Sequence, residues 1–356
     1  ATSLDQESDR EAVEKFLEKH GIKTYADLIL PLPLETRSTF VDSIKELCGS
    51  NLQRPVPFTT MMLKGTPLSS KKTRKQYGMD TKFRVLPRQF GEYNGVRCFE
   101  IEEVCIATDT MPFDDYVECR GFSFVFTLFA HQQYDMFSRH RSELGVETFS
   151  FFFRLWEKIK KGETVLSNIY TDFISETKNE LFDSPRKLYQ FYKDDDNYNA
   201  LLHGKIGDNL IRKYSTRVLV ERNGESLDLG YATLLELINS SIIDSSVVDS
   251  LRDSSVWART QRNFPFLLNM RAEDYETLTL DLEYDVNRWY HEESGESLQA
   301  YREPVKYQLT PHHDKIRRAI DSARKFHGSD STLWIPRLLQ NTPLQDLWRD
   351  CQRITV

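Results

Sequence analysis

No two of the five cysteines, at positions 48, 98, 105, 119 and 351, lie within four residues of each other. That spacing excludes a Cys-x-x-Cys or Cys-x-x-x-Cys-x-x-Cys clip inside the chain, and with it a zinc site of the usual kind. An odd number of scattered thiols also argues against a disulfide framework and fits reduced cysteines in the cytoplasm. Long apolar runs are missing: Phe122–Ala130 and Phe149–Phe153 fall well short of the ~20 residues that span a bilayer. Nor does the N-terminus carry a charged-then-apolar secretory pattern. The first residue is Ala1 and not Met, which reads as a processed or partial product. Surplus positive charge is absent, since the net charge is −7, so nucleic acid is not expected as the main partner. The run Lys71, Lys72, Arg74 and Lys75 is the local exception and reads as a solvated face. Gly and Pro are sparse, at 15 and 13 of 356 residues, while 39% of the chain is hydrophobic and 28% charged. Such a composition builds a core, in two domains or one large one.

The pattern along the chain changes once. Ser8 and Glu11 form a capping-box pair ahead of Ala12, Val13, Phe16 and Leu17 on one helical face, with Gly21 as the stop. Thr24–Leu30 reads as a strand ended by Pro31 and Pro33. Phe40, Val41, Ile44, Leu47 and Cys48 recur at helical spacing, and Val56–Leu63 is the next strand. Strand, helix and strand with short links indicate parallel βαβ units. Two units are too few to close a barrel, so the start reads as the tail of an α/β domain. Residues 82–106 are extended, with a turn region at Gly91–Gly95.

Beyond Thr110 the pattern is helical. Pro112, Asp114 and Asp115 mark a helix start with acids in its first turn. Phe122, Phe124, Phe126 and Phe129 are spaced like a strand, but segment length favours a buried helix with these rings in the core. Further helices are expected near 147–161, 163–181, 185–193, 205–221 and 229–240, with 241–275 less regular. Val305–Leu309 reads as a strand, Thr310–Pro311 as a helix start, and Thr342–Pro343 as the start of a final helix carrying Leu344, Leu347 and Trp348. The expected fold is α/β plus α: an α/β portion over 1–110 and a mostly helical domain over 111–356.

The stretch HGIKTYADLILPLPLETRSTF at 20–40 resembles a strand-to-helix junction of radical S-adenosylmethionine (SAM) barrels, where the motif runs Leu-Gly-Leu-Pro-Gly-Glu-Thr. LKGTPLSS at 63–70 resembles a later barrel strand of that family. Residues 71–129 and the terminal EPVKYQLT and LLQNTPLQDLWRDC segments look like the continuation found in cobalamin-binding radical SAM proteins. The resemblance implies the C-terminal end of a partial radical SAM (βα) barrel followed by the helical domain. In that family a cysteine clip holds a 4Fe-4S cluster, the cluster binds and cleaves SAM, and a separate domain carries cobalamin. Those cofactors would depend on missing N-terminal domains or a partner chain.

Site residues transferred by the resemblance are Glu35 and Thr36, which match the Glu-Thr of the junction near the SAM nucleoside. Pro31 and Leu34 stand at the two glycine positions, and Pro removes a backbone donor. By its own position Glu35 reads first as a helix-start acid stabilised by the dipole, with a retained ligand contact second, and Gly65 reads as a tight-turn residue. Arg84, Arg88, Glu92 and Tyr93 are candidates for a substrate cavity, because Arg forks suit carboxylates and phosphates. Ion pairing within the fold is the other reading of the same residues. Glu102–Glu103 are adjacent on a strand and point to opposite faces, and Asp114–Asp115 already serve a helix start, so neither pair suits acid–base catalysis. The adjacent His312–His313 read as a solvated helix start. Three functions remain open: part of a radical SAM enzyme performing methyl transfer or related chemistry, a degenerate relative acting as a scaffold or binding subunit in an oligomer, or an unrelated helical protein with a small α/β start.

Overall fold

The computed structural model describes residues 26–49, 55–238, 243–264, 267, 272–292 and 294–354, together with positions 13, 16 and 20. The capping box expected at Ser8 and Glu11 lies outside the described residues. In chain order the elements are β1 (Ala26–Leu30), α1 (Arg37–Gly49), β2 (Pro55–Thr59), α2 (Lys71–Gln76), β3 (Asp80–Tyr93), β4 (Val96–Ala107) and α3 (Phe113–Phe129). Next come α4 (Met136–Leu144), α5 (Thr148–Lys160), α6 (Ser167–Asn179), α7 (Pro185–Lys193), α8 (Asp195–Leu202), α9 (Leu210–Glu221), α10 (Asn223–Leu237) and α11 (Ser245–Gln261). The last are β5 (Leu278–Leu282), α12 (Val286–His291), β6 (Val305–Pro311), α13 (His313–His327), α14 (Ser331–Asn341) and β7 (Arg349–Arg353). The fold is mixed α/β with helix predominant, and among the described residues no strands close into a barrel.

The chain forms two compact units: Ala1–Ala130 with Ile174–Tyr198, and His131–Phe173 with Asn199–Val356. In the first, β1 and β2 pair in parallel from Ala26↔Pro55 to Leu30↔Thr59, linked by α1. Phe40, Ile44 and Leu47 bury one side of that helix, as their spacing requires. The expected second parallel unit is not formed. The only helix between β2 and β3 is the short α2, and β3 instead pairs antiparallel with β4. A parallel return needs a crossover of a dozen or more residues, whereas a hairpin needs two. Asn94 and Gly95 supply those two at φ 52° and 77°, the left-handed pair that matches strand twist in a tight hairpin. An isolated bridge between Met61 and Val104 ties the end of the parallel pair to the hairpin.

Helix α3 resolves the strand-like aromatic spacing. Phe122, Phe124, Phe126 and Phe129 are all buried, because from Tyr116 onward this helix is packed on nearly every side. Aromatic spacing on such a helix carries no face information, so its period says little about its class.

The second unit packs its helices with the antiparallel order β5–β6–β7. Trp257, Trp289 and Trp334 are fully buried there. Gln133 crosslinks the core: its amide donates to Asn223 Oδ1 at 2.9 Å and to the Arg262 carbonyl at 2.6 Å, and its carbonyl accepts from Trp348 Nε1 at 3.1 Å. The helix expected from Thr342 is a single 3-10 turn, Leu344–Asp346, followed by β7. Leu344, Leu347 and Trp348 are buried as expected. The chain after them takes the ladder bonds offered by β6, and tertiary pairing overrides a local helical preference. The irregular stretch within 241–275 contains α11, whose N-cap Asp244 accepts from Val247 N. Among the described residues no helix is long and apolar enough to cross a membrane.

Candidate functional site

Parallel strands present their carboxyl ends to ligands in open α/β folds, and in the first unit that end is formed by the segments after Leu30 and Thr59. Leaving β1, the chain turns back over Leu32–Glu35, with Glu35 N donating to the Leu32 carbonyl at 3.1 Å. Pro33 at the second position and a left-handed third position give the type II pattern. That third position is Leu34, at φ 68°, where a glycine is the ordinary occupant and any other residue costs roughly 1–2 kcal/mol. The side chain of Glu35 closes the turn from inside by accepting from Leu32 N at 2.9 Å. Thr36 then caps α1. Its hydroxyl accepts from Thr39 N at 3.1 Å, and its own N–H donates to Thr39 Oγ1 at 2.9 Å, a reciprocal arrangement equivalent to a capping box.

Two further threonines hold this turn. Thr60 Oγ1 donates to the Pro31 carbonyl at 2.7 Å and Thr110 Oγ1 to the Glu35 carbonyl at 2.7 Å. Neither was visible in the sequence, because they lie 29 and 75 positions from their partners. Burial pushes the Glu35 carboxyl above its ordinary value, with the Leu32 N–H opposing. The Cys119 thiol is pushed up to about 12 by burial, and the charges of Glu35 and Asp115 add to the effect. Arg37 pairs with Glu118 at 3.0 Å. The turn is therefore a hydrogen-bonded acidic corner, partly exposed at Leu32 and Leu34.

The other candidates lie on the hairpin. Arg84 donates to Glu102 at 2.5 Å and to Glu180 at 2.9 Å. Burial disfavours its charge, yet the Glu180 and Glu102 carboxylates more than offset this and raise its pKa. Its hydrogen bonds thus go to carboxylates of the fold. Adjacent Glu103 faces the other way and takes Arg74 in a two-point contact, with Nη2 2.9 Å from Oε2. The Arg74 guanidinium, helped by the Thr81 hydroxyl, holds the Glu103 carboxyl below its ordinary value. Arg74 is the one member of the basic run engaged in this way, while Lys71, Lys72 and Lys75 are exposed on α2.

Arg88 lies in a bulge, where the register passes from Val85↔Ile101 to Phe90↔Phe99, and it adopts φ 64°. Tyr93 sits at the hairpin tip, 68% exposed, in the last pair before the turn. Glu92 accepts from Arg97, which also reaches Asp195. Arg84 and Tyr93 thus occupy opposite sides of the bulge and share no partner among those described.

A cluster requires several thiolates converging on one point. Among the described residues no three His, Cys, Asp or Glu side chains come together as metal ligands. Burial raises the thiols of Cys105 to about 11 and Cys351 to about 12. The described residues do not fit an iron–sulfur cluster.

Comparison with known proteins gives two partial similarities. The chain is 29% identical over 182 residues to 2-(S-pantetheinyl)-carbapenam-3-carboxylate methyltransferase of Streptantibioticus cattleyicolor, covering 49% of this chain and 24% of that protein. It is 35% identical over 108 residues to the cobalamin-dependent radical SAM methyltransferase TokK of Streptomyces tokunonensis, covering 30% of this chain and 15% of that protein. The chain thus spans a quarter or less of these relatives by matched length. No protein-family model matches it.

Proposed function

We propose that this chain is the C-terminal portion of a cobalamin-dependent radical SAM-type enzyme that performs radical methyl transfer or related chemistry. The observation that carries the reading is its similarity to two methyltransferases, one of them named as cobalamin-dependent and radical SAM. The parallel β1–α1–β2 unit supports it by presenting the Glu35–Thr36 corner at its carboxyl end. In this reading the corner faces the SAM-binding side. The 4Fe-4S cluster and cobalamin would be held by further N-terminal sequence or a partner chain, in the cytoplasm. Arg84 ties the hairpin to the rest of its unit, and Arg88 and Tyr93 remain the candidates for contact with substrate.

The test uses the polypeptide encoded by the whole uninterrupted reading frame. After anaerobic reconstitution with iron, sulfide and hydroxocobalamin, incubation with SAM and a reductant should yield 5′-deoxyadenosine and S-adenosylhomocysteine. Absence of both products from a colourless protein would overturn the reading.

That outcome would favour a second reading, a degenerate relative acting as a scaffold or binding subunit. One observation speaks for it: Pro31 and Leu34 replace the glycines that let backbone approach a ligand closely. Leu34 does, however, keep the left-handed conformation a glycine would adopt.

A further inference from the structure

We infer that Lys64, Lys71, Lys72 and Lys75 form a docking surface for an acidic protein partner. The inference stands apart from the function proposed above, because it rests on how charge is placed around α2 and not on any cofactor.

Three of these lysines lie on α2 and the fourth in the segment leading to it, and all are exposed. Lys64 stands close enough to Glu103 to favour its ionised carboxylate, which places it beside the helix. The support is anchored. Ser70 caps α2 by accepting from Thr73 N at 3.2 Å, and Thr73 Oγ1 donates to the Pro67 carbonyl at 2.7 Å. Arg74 takes Glu103 in its two-point contact and donates through Nε to the Ser69 carbonyl at 2.9 Å. The fold thus engages one cation of the run and leaves the others facing solvent.

Their placement is electrostatically unfavourable within the fold. Lys71 and Lys72 occupy the first turn, which carries no acid and where the helix dipole disfavours cations. Lys71 and Lys75 are like charges one turn apart, and they repel. A helix of six residues has little stability of its own to set against this. Elsewhere Lys82, Lys158, Lys187, Lys306 and Lys315 each pair with a carboxylate. Among the described residues none of the four lysines at α2 does. Local rules broken without compensation inside a fold belong to functional surfaces, and an opposing set of carboxylates would supply the compensation. Nucleic acid fits less well, because the chain as a whole carries −7 and repels a phosphate polymer. A lipid surface fits less well, because KKTRKQ has no apolar side chain to insert.

Fluorescence anisotropy of a labelled oligo-glutamate, titrated with the intact chain at low ionic strength, tests this. The probe should bind, and added salt should weaken the binding steeply. Replacing all four lysines by Gln should weaken it about tenfold, at roughly a factor of two for each exposed contact. Lys71→Glu combined with Lys72→Glu should weaken it further and at the same time raise the urea midpoint, because acids suit a first turn. Loss of binding together with a gain in stability separates a docking surface from a structural role. Equal binding by the Gln variant, or a urea midpoint that does not rise in the Glu pair, overturns the inference. So does tighter binding of oligo-thymidylate or of phosphatidylserine vesicles through the same lysines.

Discussion

Arg84 donates to Glu180 at 2.9 Å from 96 positions away in sequence, and both side chains are largely buried within the first unit. With Glu102 on the paired strand, the guanidinium bridges β4 and the residue that follows α6. An ion bridge of this kind is costly to break from one side, because the remaining charges stay buried without compensation.

Arg84→Met should therefore lower stability by about 3–5 kcal/mol, read as a shift in the urea midpoint. Adding Glu180→Leu should recover part of the loss, because the stranded carboxylate is removed. An unchanged midpoint in the single variant would show that the bridge is dispensable.

The His140 imidazole sets an acid limit on the second unit. Burial pushes it down to about 3, with Arg139 adding to the effect. It is stacked on Trp289 at 4.5 Å and bonded through Nε2 to Ser254 at 2.8 Å. Its folded pKa lies below the ordinary 6.5, so folding favours the neutral ring. That stability is complete above 6.5 and is lost as pH falls from 6.5 toward 3. His140→Phe should flatten the acid limb of a stability–pH profile. Identical slopes for the two proteins would refute the assignment.

Cys98 is exposed on β4, while Cys105 and Cys119 are buried. Since the thiolate is the reactive form, the raised thiols of Cys105, Cys119 and Cys351 should resist modification in the folded state. With a disulfide reagent at mildly alkaline pH, Cys98 should react first and the other three only after denaturation. Peptide mapping that finds Cys119 labelled ahead of Cys98 would contradict this.

Ile29 and Phe58 are register partners on β1 and β2, 44% and 50% exposed. Parallel sheets normally have both faces covered, and an apolar pair left open should bind a hydrophobic dye. Phe58→Lys should cut anilinonaphthalene sulfonate fluorescence and change stability by no more than about 0.5 kcal/mol. Undiminished fluorescence would place the dye elsewhere.

Much of the local structure was legible. The Phe40, Ile44 and Leu47 spacing gave α1, the helix expected near 185–193 is α7, and opposite facing of Glu102 and Glu103 followed from strand geometry alone. Segments whose outcome depended on a distant partner were not legible. The chain after Thr342 had helical signals but pairs with β6. Glu180 carried no signal that it would meet Arg84.

The sequence by itself determined that α1 and α3 are helices, that no cysteine clip is present, and that Glu35 and Thr36 sit at a strand-to-helix junction. Those properties depend on neighbours a few residues apart, where backbone preference and side-chain period act directly. Only the tertiary structure decided that β3 turns back on β4, that Arg84 is held by carboxylates, and that two threonines anchor the turn around a left-handed Leu34. Each of these depends on which distant groups meet, and hydrogen bonding and burial fix that only once the chain is packed.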